Sequence, residues 1–194
     1  MLGETVQEGL RVDIIDMLGR ALDQTGTIVD GVPPEQMDLP AVGEWSVRTV
    51  IAHLTRGNEN TAAAARGEPR NPDPIADVGG DPAGAYRRSA AAVKAAWHDP
   101  AQLRAEYPSP FGPIPGQALL TLRMADNLTH GWDVAHATGQ KPSYDEDIVQ
   151  TAMDFAQTRL AGNRGPGGAF GPPVSVSADL PTIDRLAAFL GRTP

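Results

Sequence analysis

Over residues 4 to 24, Val6, Leu10, Ile14, Met17, Leu18, Ala21 and Leu22 recur at spacings of three and four, the period of an amphipathic helix. Pro33, Pro34, Pro40 and Gly43 then interrupt the period, and Ser46 stands as an N-cap for a second helix. Trp45 and Val50 flank that cap at the positions of a hydrophobic staple. The helix is expected to run to about Ala65, with Val47, Val50, Ile51 and Leu54 facing inward. Asp81 followed by Pro82 signals a cap and first turn for a third helix through about Trp97, whose alanine-rich interior permits close packing. Residues 116 to 137 hold no proline and carry a helical period, a span of roughly 33 Å. Gly139 is placed to end this helix, and Ser143 with Glu146 forms a capping-box pattern for a further helix to about Leu160. A last short helix is expected from Thr182 to Leu190, after an irregular stretch over 163 to 181.

Between the helices lie proline- and glycine-rich segments, notably 66 to 81, and two of these loops are longer than ordinary connections, as expected of segments that line a site. No stretch reads as a sheet; Val174 and Val176 make at most a short extended piece. The expectation is an all-α protein: an antiparallel four-helix bundle with long loops and a short C-terminal helix, in one domain over residues 1–194. Such bundles commonly hold metal or ligand sites between their helices.

Composition narrows the function. Sixteen Lys and Arg against 24 Asp and Glu give a net charge of -8, which repels a phosphate backbone and argues against nucleic acid as a partner. The chain has no Cys, so disulfides, thiolate ligands and a cysteine nucleophile are excluded and any thiol must come from outside. Acidic residues near the start (Glu4, Glu8, Asp13, Asp16) oppose a signal peptide, and the apolar runs are too short for a bilayer. The reading is a cytoplasmic protein with no membrane partner. The sequence admits a homodimer without fixing the oligomeric state.

The candidate chemistry sits on the helix over 116 to 137. Asp126, His130 and Asp133 are spaced i, i+4, i+7 and lie within roughly 60° of one another on one stripe. That stripe continues through Leu119 and Leu122, so the polar group points where apolar side chains would ordinarily enter the bundle. A divalent cation is one way to satisfy such a pair, and His53, three residues after Val50, is the third donor within reach. The spacing also admits an ordinary hydrogen-bonded pair on a helix surface. Asp133 could orient His130 or accept a bond from another element. His136 leaves the stripe and reads as surface, and His98 belongs to a helix terminus. Trp45, Trp97 and Trp132 read as packing residues in preference to a ligand cage, and Arg56 and Asn60, three and seven residues after His53, as solvated helix surface in preference to substrate contacts at the same mouth. Gly165-Pro166-Gly167-Gly168 precedes no helix and is a weak phosphate-loop candidate.

Three segments carry a resemblance: Glu44-Trp45-Ser46-Val47-Arg48 with Ala52-His53-Leu54; His130-Gly131-Trp132-Asp133-Val134-Ala135 with Ala137-Thr138-Gly139; and Asp184-Arg185-Leu186 with Gly191-Arg192. In this order they are similar to the actinobacterial metal-binding proteins of the DinB superfamily, close to the N-terminal domain of mycothiol-dependent maleylpyruvate isomerase. The resemblance spans nearly the whole chain and implies a DinB-like four-helix bundle whose metal would be held by His53, Asp126 and His130. The isomerase carries Glu in the acid position, where this chain has the shorter Asp126, and its separate C-terminal domain has no clear counterpart in residues 163 to 194.

The leading expectation is therefore a metal-dependent thiol transferase. Zinc, or else nickel or manganese, would lower the pKa of an external small-molecule thiol so that its thiolate attacks an electrophilic substrate. Mycothiol is the thiol that the resemblance implies. A hydrolase using metal-bound water, or a noncatalytic metal- or ligand-binding protein, are the alternatives.

Overall fold

The computed structural model describes residues 2–109, 112–160, 162 and 171–194, with side chains described from residue 14 onward. The weak phosphate-loop candidate at 165 to 168 lies outside the described residues. Four long helices dominate: α1 (Leu2–Asp30), α2 (Val47–Ala65), α3 (Pro82–Ala96) and, after the single-turn α4 (Pro100–Arg104), α5 (Gly116–Thr138). Their principal contacts close a ring, α1 on α3, α3 on α2, α2 on α5 and α5 on α1. This is an all-α, DinB-like bundle, flanked by α6 (Glu146–Phe155) and α7 (Thr182–Phe189) against α5. Among the described residues no helix is long and apolar enough to cross a membrane.

Local signals in the sequence account for most of the helix ends. The Ser46 hydroxyl accepts from the Thr49 amide at 3.3 Å, and the Asp81 carboxylate accepts from the Gly84 amide at 2.8 Å. Gly139, at φ 71°, stops α5. Elsewhere packing or competition decides. The first helix runs on past Gln24 to Asp30 because Ile28 and Val29 are buried, and Gly26 passes close to the Tyr86 ring; tertiary contacts outweigh the weak propensity of its Thr and Gly residues. The Ser143–Glu146 capping box does not form. Asp145 takes the N-cap position of α6 without a side-chain cap bond, and the Glu146 carboxylate accepts from the Thr182 hydroxyl at 2.5 Å, tying α7 to α6. The α6 helix reaches Leu160 only through a π-helical turn over Ala156–Leu160.

Two small sheets correct the expectation of none. β1 (Pro40–Val42) pairs with β2 (Trp45–Ser46), and β3 (Glu106–Tyr107) pairs with β4 (Ile114–Pro115), both antiparallel. Strands of two or three residues are too short to show an alternating pattern. The β1–β2 hairpin delivers Trp45 and Ser46 directly to the start of α2. Val174 belongs to no strand; its amide donates to Ala188 O at 2.9 Å.

Within the largely apolar bundle interior, one buried network of uncharged side chains joins four helices. Asn127 on α5 donates to Asn58 on α2 at 3.2 Å, and Asn58 donates to Ser89 on α3 at 3.2 Å. The Tyr86 hydroxyl donates towards Asn127 Oδ1 at 2.8 Å and lies 3.1 Å from Leu22 O on α1. Burial pushes the Tyr86 phenol well above its ordinary range, so it remains a donor. Tyr86→Phe strips Asn127 Oδ1 of this partner in a site closed to water, and should destabilise the protein by about 1–3 kcal/mol. Urea denaturation of the variant against wild type measures that loss.

Candidate metal centre

Leu119, Leu122, Asp126 and His130 are each half-buried on α5, while Leu120, Met124 and Leu128 take the core. The stripe therefore forms a cleft wall and does not point into the bundle core. The facing wall is α2, where His53, Gly57, Asn60 and Ala64 follow one another at spacings of three and four. The cleft between them encloses about 1510 Å³, ample for a sizeable small molecule.

His53, Asp126 and His130 come together on these walls, each offering one ligand atom within 4.8 Å of the others. His53 Nε2 lies 3.6 Å from Asp126 Oδ2, and His130 Nε2 lies 3.7 Å from Asp126 Oδ1. Both distances are too long for ordinary hydrogen bonds. The other ring nitrogens are engaged. His53 Nδ1 is 3.3 Å from Pro74 O on the 66–81 loop, and His130 Nδ1 is 2.8 Å from Asp133 Oδ2. With Nδ1–H donated to those oxygens, each Nε2 presents a lone pair to the cleft, the arrangement that outer partners impose on metal-ligating histidines. Two imidazole nitrogens and one carboxylate could hold a divalent ion of the zinc type and leave coordination positions open.

The carboxylate is kept ionised. Burial alone would raise the Asp126 carboxyl, but the adjacent Arg123 guanidinium works against it, and the carboxyl is held well below the usual carboxylate range. Arg123 is only 7% exposed and its Nη2 contacts Asp126 Oδ2 directly. Gly57 makes room for this guanidinium: a Cβ there would stand 1.3 Å from Arg123 Nη1. Asp133 is likewise held low; burial opposes ionisation, while hydrogen bonds from His130 and Arg192 favour it.

Several sequence expectations change here. Trp45 packs half-buried against the core and also borders the site: its ring lies 4.9 Å from His53 and 5.9 Å from His130, with 5.1 Å between the two imidazoles. Trp97 is buried and donates to Thr61 O at 2.9 Å, whereas Trp132 donates to Asp184 at 2.7 Å. Arg56 and Asn60 are not free surface. Arg56 reaches Ile75 O at 3.4 Å, and Asn60 makes two hydrogen bonds to the Asn71 backbone, pinning the loop that carries Pro74. Asp133 both bonds His130 and accepts from Arg192. His136 is exposed and stacks on Trp132 at 4.7 Å, and His98 lies at the end of α3. Arg123 and Gly57 are residues that sequence reasoning passed over, and Arg192 entered it only as part of the resemblance, with no role assigned.

Comparison with known proteins agrees with this architecture. Residues 18–135 match the family described as the mycothiol maleylpyruvate isomerase N-terminal domain. The chain belongs to this DinB-like family. Two relatives, the uncharacterized proteins MT0763 and Rv0738 from two strains of Mycobacterium tuberculosis, are each 32% identical over 179 residues, covering 90% of this chain and 94% of theirs. No solved structure matches the chain.

The close approach at Gly57 is open to a direct test. Gly57→Ala drives a methyl group into the buried Arg123 guanidinium, an overpacking cost of about 1–3 kcal/mol against a helix-propensity gain of about 1 kcal/mol, and the net effect should be a loss of stability. A rise in stability of about 1 kcal/mol in urea denaturation, the full helix-propensity gain, would show that the guanidinium shifts freely and does not depend on the glycine.

Proposed function

We propose that this protein is a divalent-metal-dependent thiol transferase, with zinc held by His53, Asp126 and His130 and mycothiol as the thiol it uses. The observation that carries the reading is the convergence of two Nε2 atoms, each freed by a partner on its own Nδ1, on an ionised carboxylate in a large cleft. A family named for a mycothiol enzyme supports the choice of thiol. The absence of Cys is compatible with it, since the reacting sulfur must then be brought in.

When bound, the ion would lower the pKa of a sulfur ligand so that a thiolate is available near neutral pH. The chain's own residues do the rest. Pro74 O and Asp133 set the tautomers of His53 and His130. Arg123 keeps Asp126 anionic and therefore a donor. The Trp45 ring covers one side of the imidazole pair and limits water there. The cleft provides room beside the three donors for an electrophile to approach the sulfur, form a carbon–sulfur bond and expel its leaving group. The thiol proton departs to solvent.

Elemental analysis of tag-free protein tests the centre, and thiol-conjugation assays test the reaction. Wild type should carry close to one zinc per chain, and His130→Ala should lose it. Wild type should also consume mycothiol in the presence of an activated haloarene. Failure to bind zinc, nickel or manganese overturns the metal centre. Metal-dependent turnover of an ester without any thiol would instead identify a hydrolase.

A further inference from the structure

Asp133 is a carboxylate that α5 buries almost completely, its side chain 1% exposed. Both of its oxygens are engaged by a residue from the end of the chain. Arg192 Nε donates to Oδ1 at 3.1 Å and Arg192 Nη2 to Oδ2 at 3.0 Å, a two-pronged clamp, while the same Oδ2 takes the His130 Nδ1 contact at 2.8 Å. A paired fork of this kind fixes the plane of a carboxylate as well as neutralising it.

The backbone places Arg192 deliberately. At the end of α7 the Gly191 amide donates to Ala188 O and the Arg192 amide to Ala187 O, both at 3.0 Å. These two bonds and the left-handed φ of 89° at Gly191 make a Schellman stop. A side chain at 191 would also run into the Gly171 backbone. Arg192 Nη1 donates to Leu190 O at 2.8 Å, which holds the side chain back over its own helix end. One residue before Asp133, Trp132 donates to Asp184 at the start of α7 at 2.7 Å. Thus α7 and the segment after it are fastened to α5 at consecutive residues, just beyond His130.

We propose that Arg192 is a positioning residue for the centre. By clamping Asp133 it fixes the His130 ring in the Nδ1–H tautomer and in the orientation that presents Nε2 to Asp126 and His53. The segment after α7 is then a working part of the site. Its consequence for metal rests on the reading given under Proposed function, whereas its effect on the imidazole does not.

Two effects of removing Arg192 oppose each other. Loss of a nearby positive charge favours a bound cation. Loss of the clamp leaves Asp133 free to turn and releases the His130 ring, and outer-partner losses of that kind typically weaken metal binding about 10–100-fold. The proposal requires the second effect to win. Arg192→Lys separates them, because lysine keeps the charge but cannot bridge both oxygens in one plane.

The experiment compares full-length wild type, Arg192→Gln and Arg192→Lys in two measurements. Zinc affinity is read by competition with a chromophoric chelator, and the protonation of the His130 ring nitrogens by nitrogen-15 NMR of the metal-free proteins. Both variants should bind zinc about 10–100-fold more weakly and should lose the fixed Nδ1–H signature of His130. Tighter or equal zinc binding by folded Arg192→Lys overturns the proposal, as does an unchanged His130 signature whatever the zinc affinity. If wild type binds no zinc, the metal reading fails, and the His130 spectrum still decides the role of Arg192. Should Arg192→Gln not fold, Arg192→Lys carries both measurements.

Discussion

A carboxylate taken out of water must be paired or it will not stay ionised, and α5 buries or half-buries two of them on one face, seven residues apart. Asp126 meets the Arg123 guanidinium, and Asp133 meets that of Arg192. His130 lies between them, its Nε2 toward Asp126 and its Nδ1 on Asp133. Each acid is thereby balanced on one side by a permanent cation and faces an imidazole on the other. The orientation of that imidazole, and with it the shape of the centre, follows from satisfying the two charges. Arg123 needs the missing side chain of Gly57 on α2, and Arg192 needs the stop at Gly191, so two otherwise unrelated glycines trace back to one electrostatic requirement.

The register of α2 on α5 is set one layer deeper. Asn127 is the neighbour of Asp126, and its amide bonds Asn58 across the bundle while its oxygen takes the Tyr86 hydroxyl. A sliding of either helix by one residue would leave these groups unpaired in a dry interior, which is costly enough to exclude alternative registers. With Asn58 facing Asn127, His53 comes to lie opposite Asp126 and His130. The uncharged network fixes where the helices meet, and the charged pairs on its cleft side use that fixed geometry.

Much of this is legible in the chain because it depends on local chemistry. Ser46 and Asp81 mark helix starts through side-chain oxygens that accept from nearby backbone amides, Gly139 marks a helix end through its φ, and the i, i+4 spacing of Asp126 and His130 needs only the helical period to put them on one face. What is not legible depends on pairing across the fold. Arg123 looks like any helical arginine until Gly57 is seen opposite it, and Arg192 lies 59 residues from its partner. Trp45 escapes for another reason: its ring is carried by a hairpin whose strands are too short to have a period. The capping box over 143 to 146 fails because Glu146 has a better tertiary partner in Thr182 than its own helix end can offer.

The charge distribution bears on what the cleft can accept. The chain carries a net charge of -8, and many of its cations are spent internally: Arg20 on three aspartates, Arg87 on Asp30, Lys94 on Asp23, Arg123 and Arg192 on the acids of α5. The long-range field therefore draws cations and repels anions. Asp126 brings one negative charge to the three donors and Arg123 cancels it nearby, so the donor group contributes little field of its own. Under the proposed reading, a divalent ion would be the largest local charge and would reverse the sign of the field at the cleft floor. An anionic ligand atom would then be favoured at that one place in an otherwise acidic protein, beside Trp45 and between the two helix walls.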